Sequence, residues 1–123
     1  SPVIYFRRTV TKRTEYKGFT FEVGDKVTLW YPSANRDEDH FDRPFEFDIT
    51  RSPNKHLGFG GHGPHHCLGF NLARMEIVAI FDEISRRMPD IRPVGNVDRL
   101  RSNFINGVKR IPVEFTPGPK VLD

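Results

Sequence analysis

Residues 68–88, LGFNLARMEIVAIFDEISRRM, carry the only sustained helical period in the chain. Ala73, Ile77, Ile80, Phe81, Ile84 and Met88 recur three, four or seven positions apart, while Arg74, Asp82, Ser85 and Arg86 take polar places. Such spacing lays the apolar side chains along one stripe of a helix. Pro89 ends the run, and Arg86 and Arg87 fall in the last turn, where positive charge complements the helix dipole. This is the clearest element of the 123-residue chain, and the rest reads as short strands and irregular segments.

The strand signals are short. PVIYFRRTV (2–10) is rich in β-branched and aromatic residues behind a proline. GFTFEVGDKVTLWYP (18–32) predicts two strands around a turn at Gly24-Asp25, with Phe19, Phe21 and Val23 and then Val27, Leu29 and Tyr31 alternating with polar residues. SNFINGVKRIPVEFTPG (102–118) predicts a terminal hairpin turning at Asn106-Gly107. Residues 33–56 are of another kind. Helix-start residues Ser33, Asn35 and Asp37 soon meet Pro44 and Pro53, so one or two helical turns give way to ordered irregular chain. So long a non-repetitive stretch needs something else to organise it. The fold class is therefore mixed α+β within one domain, residues 1–123, with no internal repeat.

Composition removes several functions. Hydrophobic residues make up 37% and aromatics 12%, which fits a packed chain rather than a disordered one. The excess of basic over acidic residues, 19 to 16, is too small and too scattered for a nucleic-acid surface. No apolar run approaches membrane-spanning length. A single cysteine forbids an intrachain disulfide and favours a reducing, intracellular setting.

That cysteine stands in GFGGHGPHHCLGFNLAR (58–74), between a glycine-rich run and the start of the long helix. Gly58, Gly60, Gly61 and Gly63 allow close backbone approach, and Phe59 and Pro64 can shield one side from water. A helix beginning at or just after Cys67 would aim N–H groups and its dipole at the sulfur and favour thiolate. Several roles for Cys67 remain open on these grounds. It can be a buried structural thiol, a zinc ligand with His56, His62, His65 or His66, a Cys–His nucleophile, or a thiolate presented to a cofactor. Three consecutive residues do not readily converge on one zinc ion, and His66 would point away from its neighbour.

A wider pattern joins these pieces. Arg8, ANRDE (34–38), Phe41–Pro44–Phe47-Asp48, Arg51–Asn54–His56, FGGHGPHHCLG and NLARMEI occur in an order and spacing that resemble the cytochromes P-450, the haem-thiolate monooxygenases. The resemblance covers essentially all of the chain. It implies the C-terminal quarter to third of that fold, beginning just after the helix with the family's Glu-x-x-Arg motif and lacking the oxygen-activating helix. It implies haem b as cofactor and Cys67 as catalytic residue and iron ligand. His65 and Arg8 would each hold a haem propionate, and Phe59, Gly61, Gly63, Pro64, Leu68, Gly69 and Ala73 would contact the cofactor. The family's usual phenylalanine lies seven residues before the cysteine, where this chain has Gly60; Phe59 lies eight before. Residues 33–56 would be the family's meander.

By the same resemblance, Val3, Ile4, Phe6, Phe104 and Ile105 would line a pocket for a lipophilic substrate. The wording of the motifs is similar to actinobacterial enzymes that oxidise sterol side chains or methyl-branched lipids. The implied reaction inserts one oxygen atom of dioxygen into a C–H bond. Electrons would come from a ferredoxin and its reductase, with Lys55, Arg74 and Arg86 available for docking, in a bacterial, cytoplasmic setting. The alternatives are a non-catalytic haem- or partner-binding remnant, or peroxide-driven chemistry on the same scaffold. The 123 residues alone are expected to be inactive.

Overall fold

The computed structural model describes residues 1–118, which divide into two units. The first comprises Ser1–Gly60 with Ser102–Asn106; the second comprises Gly61–Arg101 with the chain from Gly107 onward. The mixed α+β class, the irregular middle and the single long helix are all present.

In the first unit, β1 (Tyr5–Thr9) pairs antiparallel with β4 (Lys26–Trp30), and β2 (Thr14–Tyr16) pairs with β3 (Phe19–Phe21). The two strands expected around Gly24-Asp25 do flank that turn, but they do not pair with each other. β2 takes β3 through a tight turn at Lys17 (φ 49°) and Gly18 (φ 81°), a left-handed pair that suits a two-residue hairpin. β4 is left to join β1, with Arg8 opposite Val27 and Phe6 opposite Leu29. Gly24, at φ 97°, donates its N–H to the Val10 carbonyl at 2.9 Å and so closes the outer loop onto the end of β1.

A single helical turn follows, α1 (Tyr31–Ala34), with Pro32 early in it and Asn35 as its C-cap. Beyond it the chain is irregular to Gly60, as the prolines require, and side chains replace a hydrogen-bonded ladder. Arg51 donates to the carbonyl oxygens of Asp42, Arg43 and Glu46. Arg43 in turn pairs with Glu46 at 2.7 Å and Asp42 at 3.1 Å. The hydrogen bond that Arg43 donates to the Asp42 carboxylate, helped by the charge of Glu46, holds the Arg43 guanidinium proton more firmly than usual. Tyr31 and Phe41, both 9% exposed, are the buried hydrophobic side chains of this unit.

The second unit is built on α2 (Phe70–Arg87), N-capped by Gly69 without a side-chain hydrogen bond and carrying Arg86 and Arg87 in its last turn. Its start lies three residues beyond Cys67, because residues 68–69 form a turn instead of helix. Short pairs follow: β5 (Arg92–Pro93) with β8 (Val113–Glu114), and β6 (Asp98–Arg99) with β7 (Val108–Arg110). The terminal hairpin therefore turns over a wider loop than Asn106-Gly107. Leu100 donates to the Gly107 carbonyl at its base, and residues 102–106 belong instead to the first unit. Among the described residues no helix is long and apolar enough to cross a membrane.

Candidate functional site

Cys67 is a free, exposed thiol. Its loop is assembled by main-chain hydrogen bonds: His66 N–H to the Gly63 carbonyl at 3.1 Å and Phe70 N–H to the Cys67 carbonyl at 3.2 Å. Gly63 takes φ 127°, a conformation that a side chain would strain. A Cβ placed on Gly61 or Gly63 would meet nothing within 4 Å, so the backbone there faces open space that a flat group can approach. A Cβ on Gly69 would come within 3.9 Å of the Cys67 sulfur, an ordinary contact. The sulfur therefore lies beside the residue that caps α2. Ala73 secures that cap by donating to the Gly69 carbonyl at 2.8 Å.

The histidines around the cysteine have separate surroundings. The His66 ring meets Phe70 edge-on at 5.1 Å, and His62, Pro64, His65 and Leu68 are exposed. Among the described residues, no three His, Cys, Asp or Glu side chains converge on a point that could hold a metal ion. Cys67 therefore has no two further donors of that kind converging with it among the described residues. It suits a metal already held by another chelate, such as an iron porphyrin, better than a bare ion needing four protein ligands.

The first unit carries the other expected site residues. Val3 bridges Ile105 antiparallel, and Ile4 donates to the Phe104 carbonyl at 2.9 Å. The Phe104 ring stands edge-on to Phe6 at 5.6 Å and to Tyr5 at 5.8 Å. The five residues read as pocket-lining are thereby gathered into one half-exposed apolar cluster. Tyr5 and Tyr31 also belong to it, Tyr31 lying 6.1 Å from Phe6. Strand alternation hides Tyr5 from a sequence reading, since Tyr5 and Phe6 are successive residues of β1 on opposite faces, yet both rings meet Phe104. The Arg8 guanidinium lies 5.6 Å over the Phe6 ring, donates to the Arg7 carbonyl and has no acidic partner among the described residues. It is an exposed cation without a matching anion. Phe59 is half-buried, its ring 6.1 Å from His56, whose Nδ1 accepts the Gly58 N–H at 3.1 Å.

Of the three cations considered for docking a partner, Arg86 is paired with Asp82 at 2.6 Å and Arg74 lies over the Phe70 ring at 5.3 Å. Lys55 is exposed.

Residues 1–87 match the family described as Cytochrome P450. A methyl-branched lipid omega-hydroxylase of Mycobacterium tuberculosis is 54% identical over 116 residues, covering 94% of this chain and 27% of that protein. A steroid C26-monooxygenase of Mycolicibacterium smegmatis is 46% identical over 120 residues, covering 98% and 28%. Among solved structures, a Mycobacterium marinum cytochrome P450 in complex with pseudoionone superimposes with a TM-score of 0.88 at 43% identity, over 93% of this chain and 27% of that one. The chain spans about a quarter of the length of the curated relatives it matches.

Proposed function

Since the chain belongs to the cytochrome P450 family, we propose that it is the cysteine-loop portion of a haem-thiolate monooxygenase acting on a lipophilic substrate. The observation that carries this reading is Cys67 itself: a free, exposed thiol on a glycine loop at the head of the long helix. Both units would belong to one domain, completed by the rest of the fold. When bound, haem supplies the redox centre at which dioxygen is split, one atom entering a substrate C–H bond and the other leaving as water.

This chain's residues hold and tune that group. Cys67, as thiolate, would hold the haem iron and donate electron density to it. Arg8 and His65 neutralise the two propionates, for which their exposure and lack of acidic partners suit them. Gly61, Gly63 and Gly69 would leave room for the porphyrin, Phe59 and Pro64 would shield one side of the sulfur from water, and Leu68 and Ala73 would contact the cofactor. Val3, Ile4, Phe6, Phe104 and Ile105 present apolar surface to the substrate, as their clustering supports. The relatives' names point to a branched lipid or a steroid side chain as the substrate class. Electrons would come from a ferredoxin and its reductase.

The test is the ferrous carbonyl adduct of the full-length protein. A strongly red-shifted Soret band is expected, and its loss in Cys67→Ala. A well-folded wild-type protein that binds haem without that band would refute the reading. High-spin shifts on titration with a steroid and with a methyl-branched fatty acid then separate the two substrate classes.

A further inference from the structure

The glycine loop is tied to Ile4, the residue before strand β1, by a chain of hydrogen bonds that passes through one side chain. Tyr31 N–H donates to the Ile4 carbonyl at 3.0 Å, and Asn35 N–H donates to the Tyr31 carbonyl at 2.9 Å. The Asn35 side-chain oxygen accepts the Leu57 N–H at 2.7 Å, across 22 residues of sequence. The Leu57 carbonyl then accepts the Gly60 N–H at 3.0 Å, closing the turn that sets Gly60 at φ 85°. Every member lies in the first unit.

The root of this chain is its firmest part. Tyr31 is one of the two buried hydrophobic residues among the described residues, and Asn35 is half-buried as the C-cap of α1. Around it, residues 52–56 have no helix or strand to hold them. A half-buried amide such as Leu57 N–H needs a partner, and leaving it without one costs more than an average hydrogen bond contributes. We propose that Asn35 is the positioning residue for the stem of the glycine loop, residues 57–60, and through that stem for the cysteine seven residues further on. The stem anchor stands on the hydrogen bonds alone. The consequence at Cys67 rests on the haem-thiolate reading above.

The test compares Asn35→Leu, which removes the acceptor, with Asn35→Asp, which keeps an oxygen there, in the full-length holoprotein. Two quantities are read: amide hydrogen exchange of the peptide containing residues 57–60, and the fraction of ferrous carbonyl adduct in the red-shifted thiolate form after mild warming. In Asn35→Leu, exchange of this peptide should quicken on the order of tenfold, and the thiolate form should be lost faster, with peptides from α2 unchanged. Asn35→Asp should restore both. Unchanged exchange in Asn35→Leu, or equal losses in both variants, would overturn the proposal. Faster exchange with an undisturbed carbonyl spectrum would overturn the link to Cys67. Should Asn35→Leu not fold, the wild-type profile decides: slow exchange at 57–60 beside fast exchange at 52–56 supports the anchor, and uniform fast exchange refutes it. A wild-type protein without the red-shifted band would refute the haem reading instead, and the exchange comparison would still decide the anchor.

Discussion

Cys67 was legible in the sequence because rarity marks it: one cysteine, placed between glycines and a helix start. Its exposure was not legible, since nothing in a string of residues distinguishes a buried thiol from a presented one. Residues whose role depends on a distant partner stayed hidden for the same reason. Asn35 reads as a helix-start residue, and only the fold brings Leu57 to its side chain. Asp90 is a second case. Thr116, 26 residues later, donates both its hydroxyl (2.6 Å to Oδ2) and its backbone N–H (3.0 Å to Oδ2) to that carboxylate. These bonds, the hydroxyl first, hold Asp90 below the usual carboxylate range. A pKa depressed by folding gives stabilisation that is present above the unfolded value and lost as pH falls through the folded one. The Thr116 amide resonance should therefore shift at a pH below the ordinary carboxylate range, and Asp90→Asn should abolish that titration. A Thr116 shift that follows an ordinary aspartate curve would contradict the contact.

At the scale of elements, the long helix declared itself because eighteen residues of period 3.6 outweigh any local ambiguity. Only its start differs from the period's reach, since Leu68 and Gly69 continue the loop. The short strands were legible in place but not in pairing. Alternation predicts that 19–21 and 26–30 are extended, yet it carries no information on which extended segment lies beside which. Here the Lys17-Gly18 turn decides, by taking β2 back onto β3. A Cβ on Gly18 would meet nothing within 4 Å, so the cost of a side chain there is conformational rather than steric. Gly18→Val should destabilise the hairpin by about 1–2 kcal/mol, read as a lower denaturation midpoint of the full-length protein. No change in midpoint would mean that the turn is not left-handed at that residue. Outside the hairpin, the Asp82–Arg86 and Glu83–Arg87 pairs on α2 add only about 0.3–0.5 kcal/mol each, so the helix depends on covering its apolar stripe.

For the whole molecule, that covering is the central fact. The accessible surface is 11025 Å², whereas a compact monomer of this mass exposes about 6,800 Å² and two separate bodies of half the mass about 8,200 Å² together. Leu68 is 104% exposed, Phe47 95% and Ile49 87%, and α2 has no buried residue. Apolar surface on this scale belongs against other parts of a larger fold, in keeping with relatives about four times as long. The 123-residue chain alone should therefore bind a hydrophobic dye strongly, unfold without a sharp transition and hydroxylate nothing. A cooperative, dye-free chain that turns over a lipid with a redox partner would contradict this. The claim on which the account rests is that Cys67 ligates haem iron, and iron K-edge X-ray absorption on the full-length holoprotein reads that bond directly. One sulfur neighbour of the iron is predicted for the wild type, replaced by nitrogen in Cys67→His. A wild-type iron with only nitrogen and oxygen neighbours, or a sulfur signal that survives in Cys67→His, would contradict it.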